Sequence, residues 1–202
     1  ELDNFQRYYH VGHRGHLAQE NVVNAIGEDV NGKLWLGTDR GLCQFSDNVK
    51  DYSLFTGLYN QENKLIQTPV TALVQDGNKI MWIGSLQGLI KWDQKSQKFK
   101  AYTTAKNGKP LFENNFVASI TQSSSDIIWV GTWGAGIFKY NRATDANTRY
   151  YTGGGKRSIV NDYVHSIIKT RSGQIIIGTR DGVQQYVASE DRFVDFLRIR
   201  GV

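Results

Sequence analysis

Four valines, Val23, Val70, Val117 and Val164, stand 47 residues apart, and so do four glycines, Gly37, Gly84, Gly131 and Gly178. A fixed period of this length, repeated through 202 residues, restricts the chain to architectures in which one supersecondary unit recurs and stacks on its neighbours. Each valine opens a Val-x-x-Ile/Leu segment, at Val23–Ile26, Val70–Leu73, Val117–Ile120 and Val164–Ile167. Each glycine closes an apolar run: Leu34-Trp35-Leu36-Gly37-Thr38, Met81-Trp82-Ile83-Gly84-Ser85, Ile128-Trp129-Val130-Gly131-Thr132 and Ile175-Ile176-Ile177-Gly178-Thr179. A second glycine follows at Gly41, Gly88, Gly136 and Gly182, its spacing slipped by Ala135, an extra residue in the third unit. Aromatics close the units at Phe55, Tyr102, Tyr150 and Phe196, and Tyr8 precedes Phe55 by the same 47 residues.

Each unit reads as four short strands. The first is the Val-x-x-Ile segment with about three further residues, and the second is the Trp-x-Gly-Thr segment. Gly41-Leu42-Cys43-Gln44-Phe45 exemplifies the third strand and Tyr52-Ser53-Leu54-Phe55 the fourth. Between the first two, Val30-Asn31-Gly32-Lys33 suits a tight hairpin with Asn-Gly at positive φ. The 21 glycines, 2 prolines and 12% aromatic residues fit short strands and tight turns. No segment carries a 3.6-residue apolar stripe. The expected fold is all-β: β-propeller blades, four antiparallel four-stranded repeats of about 47 residues. The units divide as 1–10, the closing strand of a preceding blade, then 11–57, 58–104, 105–152 and 153–202, within one propeller domain. A blade has two largely apolar faces, so Trp35, Trp82 and Trp129 are expected as interblade packing, with Ile176 in the fourth unit. Cys43, the only cysteine, reads as a small core residue.

The last unit carries its own closing strand near Phe193–Phe196, and Phe5–Tyr9 would be a second copy of it. A closed four-blade ring has no place for both. The expectation is therefore a partial propeller, an arc from a longer chain, whose terminal faces favour self-association.

The pattern Val-x-x-Ile, then Gly-x-Leu-Trp-x-Gly-Thr-x-x-Gly-Leu-x-x-Phe, resembles the two-component-regulator propeller repeat. Val23 to Phe45 carries it most fully, and Ile80 to Leu89 carries a second copy. The third copy departs at Trp133-Gly134-Ala135-Gly136-Ile137, and the fourth lacks the tryptophan. The resemblance implies the extracytoplasmic, periplasmic sensor region of a bacterial membrane signalling protein, often a histidine kinase and sometimes a diguanylate cyclase. In several such sensors the ligand is an oligosaccharide. It also implies that any kinase or cyclase activity lies in other parts of such a protein.

Function should sit where loops vary over a repeating framework. The loops before each innermost strand and those joining strands two and three should form one rim. They supply the candidate ligand-binding residues Asn21, Asp39, Arg40, Gln87, Asn115, Trp133, Asp162, Arg180 and Asp181. Amides, carboxylates and arginine suit hydroxyl groups, and an indole suits a pyranose face. Trp133 replaces a polar turn residue, and local packing is the alternative reading for it. Turn solvation and interblade salt bridges are the alternative for Asp39-Arg40 and Arg180-Asp181.

Catalysis, as in propeller lyases and glycosidases that place His and Glu on the same rim, is the least favoured reading. There is no phosphate loop or nucleophile elbow, and the carboxylates Glu20 and Glu113 lack an assignable histidine partner. His10, His13 and His16 have ligand chemistry but no cysteine or matched carboxylate, so no metal site and no cofactor are assigned. His165 lies in an innermost strand and reads as a satisfied strand histidine. The net charge of +5 is scattered, with no basic run longer than Lys156-Arg157, which argues against nucleic acid. No run of 18 apolar residues exists to span a membrane. A protein-interaction scaffold is the competing function, and an exposed apolar patch on the rim would favour it over a polar cup.

Overall fold

The computed structural model describes residues 22–45, 52–55, 68–102 and 116–196. The closing strand expected at 1–10, His10, His13, His16, Glu20, Asn21, Glu113 and Asn115 lie outside these residues. Four separate antiparallel sheets of four strands each follow in chain order. Blade 1 comprises β1 (Val23–Glu28), β2 (Leu34–Thr38), β3 (Gly41–Phe45) and β4 (Tyr52–Leu54). Blade 2 comprises β5 (Val70–Gln75), β6 (Ile80–Ser85), β7 (Gly88–Asp93) and β8 (Lys98–Tyr102). Blade 3 holds β9 (Val117–Gln122), β10 (Ile127–Thr132), β11 (Ile137–Asn141) and β12 (Ala146–Tyr150). Blade 4 holds β13 (Val164–Lys169), β14 (Ile175–Thr179), β15 (Gly182–Val187) and β16 (Arg192–Asp195). The fold is the all-β blade array read from the repeat.

The turn from β1 to β2 differs in detail from the Asn-Gly hairpin expected. Only Gly32 takes a positive φ, +79°. The Asn31 N–H is instead held by Asp29 Oδ1 at 2.8 Å, and that oxygen also accepts from the Lys33 N–H. An aspartate ahead of the turn thus folds the loop onto itself, as such side chains do when they compete for backbone donors. Asp76 repeats the device in blade 2, accepting from Asn78 and Ile80.

The first repeat glycine is fixed by close approach. A Cβ on Gly84 would lie 2.7 Å from Val117 Cγ1, and one on Gly37 would lie 2.6 Å from Val70 Cγ1. The opening valines of blades 2, 3 and 4 therefore insert where the preceding blade has no side chain. This knob and hole set the distance between sheets, so neither residue type can drift.

Around it, the tryptophans fill the gaps between blades, as expected. Trp35, Trp82 and Trp129 are all buried. Trp35 meets Trp92 of blade 2 edge-on at 4.9 Å, Trp82 meets Tyr140 of blade 3, and Trp129 meets Tyr186 of blade 4. Cys43 is buried. At the interface of blades 2 and 3, Arg142 forms an ion pair with Asp76, whose side chain is fully buried. β1 packs beside β5, β5 beside β9 and β9 beside β13. The outer faces of blades 1 and 4 stay open among the described residues, with Val23, Ile26, Ile168 and Val183 exposed. The blades form an arc.

Candidate functional site

The rim is built by one turn used four times. A hydroxyl at the end of each second strand donates to the carbonyl of the second repeat glycine: Thr38 to Gly41, Ser85 to Gly88, Thr132 to Gly136 and Thr179 to Gly182, at 2.8–3.0 Å. The same oxygen accepts an N–H from within the turn, from Arg40, Gln87, Ala135 and Asp181 respectively. The second glycine takes φ between +80° and +149° in all four copies, a region closed to most side chains. The first turn residue is then tied to the residue before the innermost strand. Asp39, Leu86, Trp133 and Arg180 donate their N–H groups to Val22, Pro69, Phe116 and Tyr163. These eight residues form a scaffolded rim on which side chains vary and backbone does not.

A second rim feature recurs at the top of each innermost strand. The register slips once in every inner pair, between Val23 and Ala25, Val70 and Ala72, Val117 and Ser119, and Val164 and Ser166. Asn24, Thr71, Ala118 and His165 are thus the bulged residues, and a bulge re-aims its side chain. Asn24 Nδ2 donates to Asp39 Oδ1 at 2.9 Å and to Val70 O in the next blade at 3.3 Å. Thr71 Oγ1 likewise donates to Val117 O of the next blade.

Asn24, Asp39, Pro69, Thr71, Leu86 and Phe116 line an open cleft of about 420 Å³ across blades 1 to 3. Beyond Phe116 stands Trp133, 41% exposed. Its ring lies 4.8 Å from Phe116, 6.2 Å from Tyr163 and 5.8 Å from His165. Its Nε1–H donates to His165 Nδ1 at 3.1 Å. The indole therefore presents one part to neighbours and the rest to solvent, which suits a contact plate.

Of the residues expected at the site, Asp39, Arg40, Gln87, Trp133, Arg180 and Asp181 all reach the rim and are exposed. Asp39 is tied to Asn24, and Asp181 accepts from Asn161 Nδ2 at 2.7 Å. Asp162 holds the link between blades 3 and 4. Its carboxylate accepts from Thr152 N–H and Oγ1 at 2.7 and 2.6 Å, and its carbonyl accepts from Gly134 and Gly136. His165 is a strand histidine of β13 with a hydrogen-bond partner, as expected, and it is exposed at the rim.

The rim also has an apolar part, of which Val22, Phe116 and Tyr163 were not among the expected residues. Val22, Leu86 and Tyr163 are exposed, and Phe116 is half-buried beside them. Val22, Pro69, Phe116 and Tyr163 share the 47-residue spacing, and that spacing was the signal for them. Among the described residues no group of three or more histidine, cysteine or carboxylate side chains is placed to hold a metal, and no helix is long and apolar enough to cross a membrane.

Residues 17–40 and 64–87 match the family model of the two component regulator propeller. The first two copies of the repeat read from the sequence thus match the two-component-regulator propeller repeat. No curated protein matches the chain by sequence. Among solved structures, the chain is similar to the extracellular domain of BT4673 from B. thetaiotaomicron, described as a one component system, with a TM-score of 0.71 and 23% identity over 96% of this chain and 23% of that one. A second structure, described as the extracellular domain of the hybrid two component system BT4673, gives 0.66 and 23% over 86% of this chain and 21% of that one. PorZ, described as an essential bacterial surface component of the type-IX secretion system of Porphyromonas gingivalis, gives 0.55 and 12% over 90% of this chain and 34% of that one. This chain therefore spans less than a quarter of the BT4673 structures, and at such identities the likeness is one of fold.

Proposed function

We propose that the chain is the ligand-sensing propeller region of a bacterial membrane signalling protein, held on the extracytoplasmic, periplasmic side and non-catalytic in itself. Output chemistry of the kinase or cyclase kind would lie in other parts of such a protein. The proposed ligand is a small molecule of the oligosaccharide class. The observation that carries this reading is the half-exposed indole of Trp133, standing on a rim whose backbone is fixed four times over, beside the cleft that carries the Asn24–Asp39 pair. A pyranose face needs such a plate, and hydroxyls need amide and carboxylate partners.

The test is calorimetric titration with a panel of neutral oligosaccharides. Binding by the wild-type chain, weakened about tenfold or more in Trp133→Ala, is expected for the loss of one aromatic plate at roughly 1.4 kcal/mol per factor of ten. A panel that gives no binding, or binding unchanged by the substitution, removes the reading.

One observation favours a second reading, a protein-interaction scaffold. The rim is not a purely polar cup, because Val22, Leu86, Trp133 and Tyr163 are exposed on it. Apolar rim patches of this kind suit protein partners. A panel without binding, together with a partner whose capture is lost in Leu86→Asp, would select the scaffold.

A further inference from the structure

The four bulged rim residues are equivalent by position but not by bonding. Asn24 and Thr71 reach forward to the blade that follows. His165 reaches back: its Nδ1 accepts from the indole of Trp133 in the preceding blade. The ring planes stand at 84°, with centroids 5.8 Å apart, so the contact is a hydrogen bond at the ring edge rather than a stack. Phe116 and Tyr163 flank the same indole.

An indole nitrogen is only a donor. Imidazole Nδ1 accepts only in the neutral ring whose proton is on the other nitrogen, and both nitrogens donate once the ring is charged. The contact therefore exists in one charge state of His165 and not in the other. In the charged state two donors face each other at the rim, and the indole loses this hydrogen bond.

We infer that His165 is the positioning residue of the rim, holding the Trp133 plate in its neutral form and releasing it when protonated. This rests on the reading of Trp133 as the ligand plate, and it adds regulation: ligand binding weakens on acidification. The elements around His165 differ in the charged groups they bring. β9 carries no charged residue. The β14–β15 turn brings Arg180 and Asp181, and the latter accepts from Asn161. The loop before β13 brings Asp162, whose carboxylate oxygens accept from Thr152.

The experiment needs no ligand. In the 15N-labelled chain the Trp133 indole N–H resonance is identified by its absence in Trp133→Phe and followed from about pH 8 to 5, the range in which histidine changes charge. The expected result is an upfield shift of that indole proton with the same midpoint as the His165 ring protons. In His165→Asn, whose side-chain oxygen accepts at every pH, the resonance stays in place. An indole resonance that ignores pH in the wild type, or that titrates equally in His165→Asn, overturns the inference. If a panel oligosaccharide binds, its affinity should fall on acidification in the wild type and hold constant in His165→Asn. A null panel would remove the ligand reading and leave the resonance test intact.

Discussion

Gly131 and Gly178 occupy the same position in consecutive blades, yet their surroundings differ. A Cβ on Gly131 would meet Val164 Cγ1 at 2.8 Å and Val164 Cβ at 3.2 Å, in the blade that follows. A Cβ on Gly178 would meet only the Ser166 hydroxyl of its own blade. The opening valines tell the same story from the other side. Val70, Val117 and Val164 are buried, whereas Val23 is 41% exposed. Interior and terminal faces share one sequence pattern, but among the described residues only the interior ones have their counterpart in place. The repeat thus encodes an interface rather than a blade, and each terminal face is half of one.

The largest expected effect separates the two glycines. Gly131→Ala forces overlap with a packed valine of another sheet, and should destabilise the chain by about 2–3 kcal/mol. Gly178→Ala needs only a turn of one exposed hydroxyl, and loses chain entropy in the unfolded state, so it should stay within about 0.5 kcal/mol of the wild type. Urea midpoints at constant slope read both. Equal losses at the two glycines would break the comparison, because they would trace to the blade itself.

Next in size is the association of the half-interfaces. Ile26 is 66% exposed while its counterparts Ile120 and Ile167 are buried, and Val183 is 49% exposed while Leu42, Leu89 and Ile137 are fully covered. The open face of blade 4 offers the glycine hole, and that of blade 1 offers the valine knob. A second copy docked head to tail would continue the interior geometry, as a heterologous contact does. Sedimentation should show concentration-dependent association in the wild type, weakened roughly tenfold or more by Val183→Asp or by Ile26→Asp, since a buried unpaired charge is costly. A monomer at all concentrations would mean the outer faces tolerate water.

Much of this was legible before any coordinates. The 47-residue spacing located the inner strands, the buried tryptophans and both glycine positions, because interblade packing must repeat wherever blades stack. The rim was half legible. Its polar members, Asp39, Arg40, Gln87, Arg180 and Asp181, follow from turn position. Its apolar members were missed because Val22, Pro69, Phe116 and Tyr163 share a spacing but no side-chain chemistry. The role of the Thr or Ser after each first glycine was open to the same reading, since one hydroxyl closes all four turns. Contacts set by a bulge or by a single interface were not legible. Trp133 and His165 lie 32 residues apart and meet because β13 slips register, and Asp76 and Arg142 lie 66 apart and have no counterpart pair in blade 4, where Ala188 replaces the arginine.

The smallest expected effect sharpens the comparison among the interior interfaces themselves. Between blades 1 and 2 the aromatic box holds Trp35, Phe55, Trp92 and Phe99, and its carboxylate contact lies within blade 1, where the Trp35 indole donates to Asp29 at 3.0 Å. Between blades 3 and 4 it is closed by a carboxylate. Asp191 accepts from the hydroxyls of Tyr150 and Tyr186 at 2.5 and 2.6 Å, and from Arg157 at 2.7–2.9 Å. Burial alone would raise the Asp191 carboxyl, but the hydrogen bonds from Tyr150, Tyr186 and Arg157 outweigh it and hold it at about 2. Burial, then the bond to Asp191, pushes the Tyr150 hydroxyl well above the usual phenol range. The sign follows from the lowered carboxyl: its contribution is complete above the unfolded aspartate range, near 4, and is lost as pH falls toward 2. Because 38% of the side chain is exposed, solvent screening keeps that contribution small, and Asp191→Asn should lower stability at neutral pH by only about 0.5–1 kcal/mol. The variant should also lose stability less steeply than the wild type between about pH 4 and 2, as thermal melting across that range would read. Parallel acid limbs would mean that the carboxylate fills space in the box without adding charge-dependent stability across the interface.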